Sequence, residues 1–134
     1  MSTATAHSSL AAELKNLTRG LTYQSESDYP VEPFSMEGNG RKSLKASDLS
    51  KKPVKQIDFD SFFGNATADQ DWYDSEEREM ARRFRELVDA LKSNLSDIKV
   101  YKVGKPSGAE FDVYVVGKTK GGDFAGVTTK VVET

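Results

Sequence analysis

Three short stretches of this chain place oxygen-rich or aromatic side chains where a binding partner could use them. Ser25-Glu26-Ser27-Asp28-Tyr29-Pro30 is an acidic turn with hydroxyls, offering many oxygen acceptors and few donors, although the same residues also suit an ordinary turn. Gln70-Asp71-Trp72-Tyr73-Asp74 sets the only Trp beside a Tyr in an acid-rich stretch. That is the composition of an interface anchor, and equally of a Trp folded back on the core. Val131-Val132-Glu133-Thr134 follows directly on a strand pattern, so Thr134 brings a hydroxyl and a terminal carboxylate to a defined place. Hard oxygen donors of this kind suit Mg²⁺ or Ca²⁺.

Residues suited to catalysis are scarce. A Ser-His triad would have to use His7, the only His, which lies in a small, polar N-terminal stretch with no packed neighbours to orient it. The absence of Cys excludes disulfides, thiolate nucleophiles and Cys-based metal sites. Asp58/Asp60 and Glu76/Glu77 are carboxylate pairs that fit capping and loop positions better than acid/base work. Gly38-Asn39-Gly40 and Gly121-Gly122 are turn signals rather than phosphate cradles. The basic stretch 41–55 has no interleaved aromatic residue and reads as a solvated lysine loop, not a nucleic-acid contact.

The scaffold that must hold these stretches is a chain of 134 residues, enough for a single domain over residues 1–134 with a real core. Apolar residues make up 37% and charged residues 30%, and 19 Lys plus Arg against 21 Asp plus Glu leave a net charge of −2. No overall basic field exists to hold nucleic acid or an anionic membrane. The longest apolar run, Val113-Tyr114-Val115-Val116, is far too short to span a bilayer or form a signal-peptide core. A monomeric, cytoplasmic chain is therefore expected.

Residues 1–7 are expected to fray, and Leu10, Leu14, Leu17 and Leu21 recur at helical spacing. They predict a helix over about residues 9–19, capped by Ser9 and stopped near Gly20. Residues 21–37, interrupted by Pro30 and Pro33, predict an edge strand and an irregular extended segment. Residues 38–56 hold six Lys/Arg against one Asp and predict a long, mobile polar loop. Ile57, Phe59, Phe62 and Phe63 form an apolar knot that tucks a short strand and a helical turn under the core.

The clearest helix is the second. Met80, Phe84, Leu87, Val88, Leu91 and Leu95 fall within an arc of about 100°. Asp74 and Glu77 have capping-box spacing, and Glu79–Arg83, Arg82–Glu86 and Arg85–Asp89 are i,i+4 pairs on its outer face. Three strands follow, near 98–103, 110–117 and 123–132. In the middle one Phe111, Val113 and Val115 share one face while Tyr114 and Val116 share the other, which predicts a sheet covered on both sides. The fold class implied is α+β, as a three-layer α-β-α sandwich around a mainly antiparallel sheet.

Read together, several segments closely resemble the bacterial nuclease A inhibitor family. They are Ser25-Glu26-Ser27-Asp28-Tyr29-Pro30, Ile57-Asp58-Phe59-Asp60-Ser61-Phe62-Phe63, Gln70-Asp71-Trp72-Tyr73, Lys92-Ser93-Asn94-Leu95, Asp112-Val113-Tyr114-Val115-Val116-Gly117 and Thr129-Lys130-Val131-Val132-Glu133-Thr134. The resemblance runs from about residue 20 onward. It implies a sandwich of the type seen in plant pathogenesis-related proteins. It also implies tight 1:1 inhibition of an endonuclease that cleaves DNA and RNA alike with one catalytic Mg²⁺. By the same resemblance Thr134 would ligate the nuclease's Mg²⁺, Glu26 would contact the same catalytic region, and Asp71 and Trp72 would extend the interface. The chain would need no cofactor of its own and no nucleic acid or membrane as partner.

Elementary chemistry agrees. A Mg²⁺-dependent nuclease binds phosphate oxygens at an exposed cation, so a protein presenting carboxylate and hydroxyl oxygens there imitates substrate. Acids at Glu26, Asp28, Asp69, Asp71 and Asp74 would steer encounter with a basic groove, in an interface of about 1,600 Å². Two other readings of the residues stay open: a binding module of the same fold for another protein or a small ligand, and a carboxylate-based hydrolase.

Overall fold

A computed structural model describes residues 3–42, 44–68 and 70–133. In chain order the elements are α1 (Thr3–Thr18), β1 (Thr22–Gln24), β2 (Asp28–Pro30), β3 (Glu32–Met36), α2 (Ala46–Leu49), β4 (Val54–Ile57), α3 (Phe59–Thr67), α4 (Ser75–Asn94), β5 (Ser96–Val103), β6 (Glu110–Lys118) and β7 (Phe124–Val132). β3, β7, β6, β5 and β4 form a five-stranded sheet in that order, with every neighbouring pair antiparallel. The mixed α+β class and the antiparallel sheet are those expected.

The main core lies between one sheet face and the three longer helices. Leu10 and Leu14 of α1, Phe62 and Phe63 of α3, and Phe84, Leu87 and Leu91 of α4 pack on Val100, Phe111, Val113, Val115, Val127 and Val131. The opposite face carries Tyr101, Val116 and Phe124, with Phe34 and Tyr114 in edge-to-face contact at 5.3 Å. The alternation along β6 therefore sorts its side chains between two covered faces, as predicted.

The helices are unequally shared between those faces, because α1 and α4 lie on the same side and pack against each other. The opposite face is covered by the basic segment. Leu44, only 6% exposed, and Leu49 of α2 dock on Tyr101, Val116 and Phe124. One buried leucine is enough to tie a polar loop down, so 38–56 is not a bare loop; it contains α2 and most of β4. Its entry is fixed as well. The Gly38 N–H donates to Asp123 Oδ1 at 2.8 Å, and a Cβ at Gly38 would collide with the Gly122 carbonyl.

Two boundaries differ from expectation. The first helix starts at Thr3, so Ser9 lies inside it rather than capping it, and residues 3–7 belong to the helix rather than to a frayed tail. Ala4 and Ala6 carry high helix propensity and extend the pattern beyond the leucine stripe. Gly20 does stop the helix, at φ +71°. Residues 21–36 form the β1–β2 hairpin and the edge strand β3, where one strand and an irregular segment were expected. The prolines are still accommodated, since β1–β2 stands outside the main sheet and β3 lies at its edge.

Candidate functional site

The hairpin β1–β2 is the element that carries Glu26, and it closes on the end of β7. β3 covers the outer edge of β7 only as far as Thr128, opposite Glu32. Beyond that point the hairpin takes over. The Thr129 hydroxyl donates to the Pro30 carbonyl at 3.0 Å, the Val132 N–H donates to Ser25 Oγ at 2.9 Å, and the Glu26 N–H donates to the Val132 carbonyl at 3.3 Å. On the inner side the Glu133 N–H donates to the Ala109 carbonyl at 2.7 Å, and the Glu133 carboxylate meets Lys102 Nζ at 2.9 Å. Lys102, its side chain only 19% exposed, also lies 4.6 Å from the Phe111 ring centroid. The backbone is thus fixed from both sides up to Glu133, with Glu26 across from it.

The second component is the turn before α4. Trp72 is 76% exposed, the one exposed large apolar side chain among the described residues, with its ring edge-on to Tyr73 at 6.2 Å. Asp71 is exposed beside it. Arg78 holds this turn by donating from Nη2 to the Asp71 carbonyl at 3.3 Å and from Nε to the Tyr73 carbonyl at 3.2 Å. The Asp74 side chain accepts from the Glu77 N–H at 2.8 Å while Glu77 Oε1 accepts from the Asp74 N–H, the reciprocal capping box that the spacing predicted. A cleft of about 180 Å³ joins the two components, with Gln24 of the hairpin on one wall and Tyr73 and Glu77 on the other, over Met80 and Phe84.

The acidic hairpin tip thus follows Gln24 and the exposed Trp precedes Tyr73, two residues that line one cleft. The family model for nuclease A inhibitor-like protein matches residues 8–134. The chain belongs to this family. No curated protein matches it. The match begins within α1, earlier than the segments quoted from residue 20 onward, so the first helix is part of the family's domain.

Within this nuclease A inhibitor-like chain the candidate residues divide into two groups. Glu26 and the end of β7 are brought together, and Asp71 and Trp72 precede Tyr73, which shares the cleft lining with Gln24. Thr134 and Asp69 lie outside the described residues. Three acids of the carboxylate pairs have structural partners, Glu77 in the capping box among them. Asp58 caps α3 by accepting from the Ser61 N–H at 2.9 Å, and Asp60 is an exposed partner of Lys92 at 3.8 Å. No group of three or more His, Cys, Asp or Glu among the described residues gathers into a metal-sized site.

Sequence reading missed the residues that hold the site rather than those that present it. Ser25, Arg78 and Lys102 are the chief ones. Arg78 had a legible signal, because a cation in the first turns of a helix opposes the helix dipole and so points to another task. Two predicted i,i+4 pairs on α4 are also replaced. Arg82 pairs with Glu79 and Glu86, but Arg83 donates to the carbonyls of Leu17 and Arg19, and Arg85 donates to the Thr67 carbonyl. Carbonyls at the ends of α1 and α3 lack helical partners and attract these guanidinium groups more strongly than an exposed carboxylate does. Behind the hairpin, burial pushes the Tyr23 hydroxyl above its ordinary pKa, and the Glu133 carboxylate adds to that shift.

Proposed function

We propose that this chain inhibits a Mg²⁺-dependent, sugar-nonspecific DNA/RNA endonuclease by occupying its active site in a 1:1 complex. The observation that carries the reading is the pairing of the Glu26 turn with the last residues of β7, on a member of the nuclease A inhibitor-like family. Thr134 follows Glu133, whose backbone is fixed, and would give oxygen ligands to the nuclease's Mg²⁺. Glu26 would approach the same catalytic region, imitating a phosphate's negative charge. Asp71 and Trp72 would widen the contact, with Trp72 as its apolar anchor. A backbone already ordered in the free state loses little entropy on binding.

The segment carrying Leu44 and α2 would serve as a thin third layer, which accommodates the three-layer sandwich of the type seen in plant pathogenesis-related proteins. The free chain is proposed to be monomeric and cytoplasmic, with no catalysis and no cofactor of its own.

The test is titration of such a nuclease while plasmid digestion is followed. A sharp loss of activity near one inhibitor per nuclease supports the reading, and deleting Thr134 or extending the chain past it should then weaken inhibition strongly. Unchanged digestion at large excess refutes it.

A further inference from the structure

We propose that Ser25 is a positioning residue. Its hydroxyl locks the Glu26 turn to the end of β7, so that Glu26 and Glu133 meet a partner as one preformed unit. The partner's identity rests on the inhibitor reading above, whereas the lock itself does not.

The need for a lock follows from strand geometry. Successive residues of a strand turn their N–H and C=O groups to alternate sides. Near its end β7 is flanked by β6 on one side only, since its pairing with β3 stops at Thr128. Glu133 turns inward and bonds Ala109 at 2.7 Å. Val132 turns outward, and its donor and acceptor both need partners from the hairpin. Its carbonyl receives the Glu26 N–H at 3.3 Å, a long contact, while its N–H reaches Ser25 Oγ at 2.9 Å. The hydroxyl bond is the shorter of the two.

Serine suits this position because a hydroxyl has one proton and two lone pairs. The proton goes to the Ser27 carbonyl at 3.1 Å, which leaves a lone pair for the Val132 N–H. The turn has a bond of its own from the Ser25 N–H to the Ser27 carbonyl at 3.2 Å. Loss of the hydroxyl therefore leaves the turn formed but loosens its hold on β7, which keeps the longer Glu26–Val132 bond at the tip. Threonine keeps both bonds, whereas alanine supplies no acceptor. On the far side of the strand the Lys102–Glu133 pair keeps the end of β7 from swinging toward the hairpin, so the strand end is held from two directions.

Two measurements on the full chain test this with Ser25→Ala and Ser25→Thr. The first is amide hydrogen exchange. In Ser25→Ala the Val132 amide should exchange about tenfold faster or more, while Val113 and Val127 in the sheet centre keep their protection and Ser25→Thr behaves as the parent chain. A Val132 amide equally protected in Ser25→Ala overturns the lock.

The second is inhibition of a Mg²⁺-dependent, sugar-nonspecific nuclease. Ser25→Ala should weaken inhibition about fivefold, Ser25→Thr should restore it, and the loss should vanish in a chain lacking Thr134. An equal loss with and without Thr134 overturns the positioning role, because a merely structural effect is additive. If exchange follows the expectation while the parent chain leaves the nuclease untouched, the lock stands and the inhibitor reading falls.

Discussion

Trp72 is a large side chain left in water. Burying it elsewhere in the fold would have gained about 1.5–3 kcal/mol by the usual measure for large apolar groups, yet it is 76% exposed. Arg78 spends its donors on the carbonyls on either side of it instead of on a carboxylate. Trp72→Ala should therefore leave the melting temperature nearly unchanged and raise the dissociation rate from the nuclease. Surface plasmon resonance and calorimetry check the two halves, and a large fall in melting temperature would make Trp72 a structural residue. Tyr23, behind the same cleft, allows a pH prediction. Its hydroxyl donates to the Phe62 carbonyl at 2.7 Å, its ring stacks on Phe62 at 4.4 Å, and its pKa is raised by burial and then by Glu133. Below pH about 10 folded and unfolded chains both keep the proton, so this group adds no pH dependence. As pH rises from there toward the higher folded value, the unfolded chain ionises first and stability falls. Tyr23→Phe should flatten that alkaline slope, at the cost of one hydrogen bond worth about 0.5–1.5 kcal/mol. Urea midpoints between about pH 8 and 11 read both effects, and an unchanged slope would assign it to other groups.

At the scale of elements, α4 is the part most legible in the chain and the part that fixes the Trp72 turn. Its stripe, its length and its capping box all follow local rules, and Asp74→Ala should cost about 0.5–2 kcal/mol, read from the urea midpoint. A variant as stable as the parent would mean that Glu77 or water replaces the cap. The three C-terminal strands and the two-sided character of β6 were legible for the same reason, since a period of two over nine residues has few other readings. The hairpin was not legible. Thr22–Gln24 and Asp28–Pro30 are three-residue strands, too short for any pattern, and they exist because the outer edge of β7 needs partners past Thr128. Leu44 was illegible in the same way, its nearest large apolar neighbour, Leu49, lying five residues on, at neither helical nor strand spacing. Of the proposed site, Glu26 and Trp72 were named from residue type and from the family resemblance, and the structure shows Trp72 exposed. Those that hold it could not, because Ser25 to Val132 and Lys102 to Glu133 are long-range contacts set by the fold.

Charge is the property that belongs to the whole molecule. The net charge is only −2, but the signs are segregated. Glu26, Asp28, Asp71 and Asp74 are exposed on the hairpin and on the turn before α4, while the lysines of 41–55 belong to the segment that covers the other face of the sheet. An uneven distribution of this kind orients a protein as it nears an oppositely charged groove, and it acts beyond contact distance. Salt should therefore bear on encounter rather than on the docked complex. At about 0.1 M ionic strength screening acts over about 10 Å, longer than a contact but shorter than the approach. The association rate with a basic nuclease should fall about tenfold or more between roughly 0.05 and 0.5 M salt, with the dissociation rate changing far less. Neutralising Asp28 and Asp71 together should remove most of that dependence, whereas neutralising Lys51 and Lys52 should leave it nearly intact. Stopped-flow association and competition-based dissociation separate the two rates. A salt effect carried mainly by dissociation would place the charges inside the interface as bonded pairs, and the acidic rim would then be a contact surface rather than a guide.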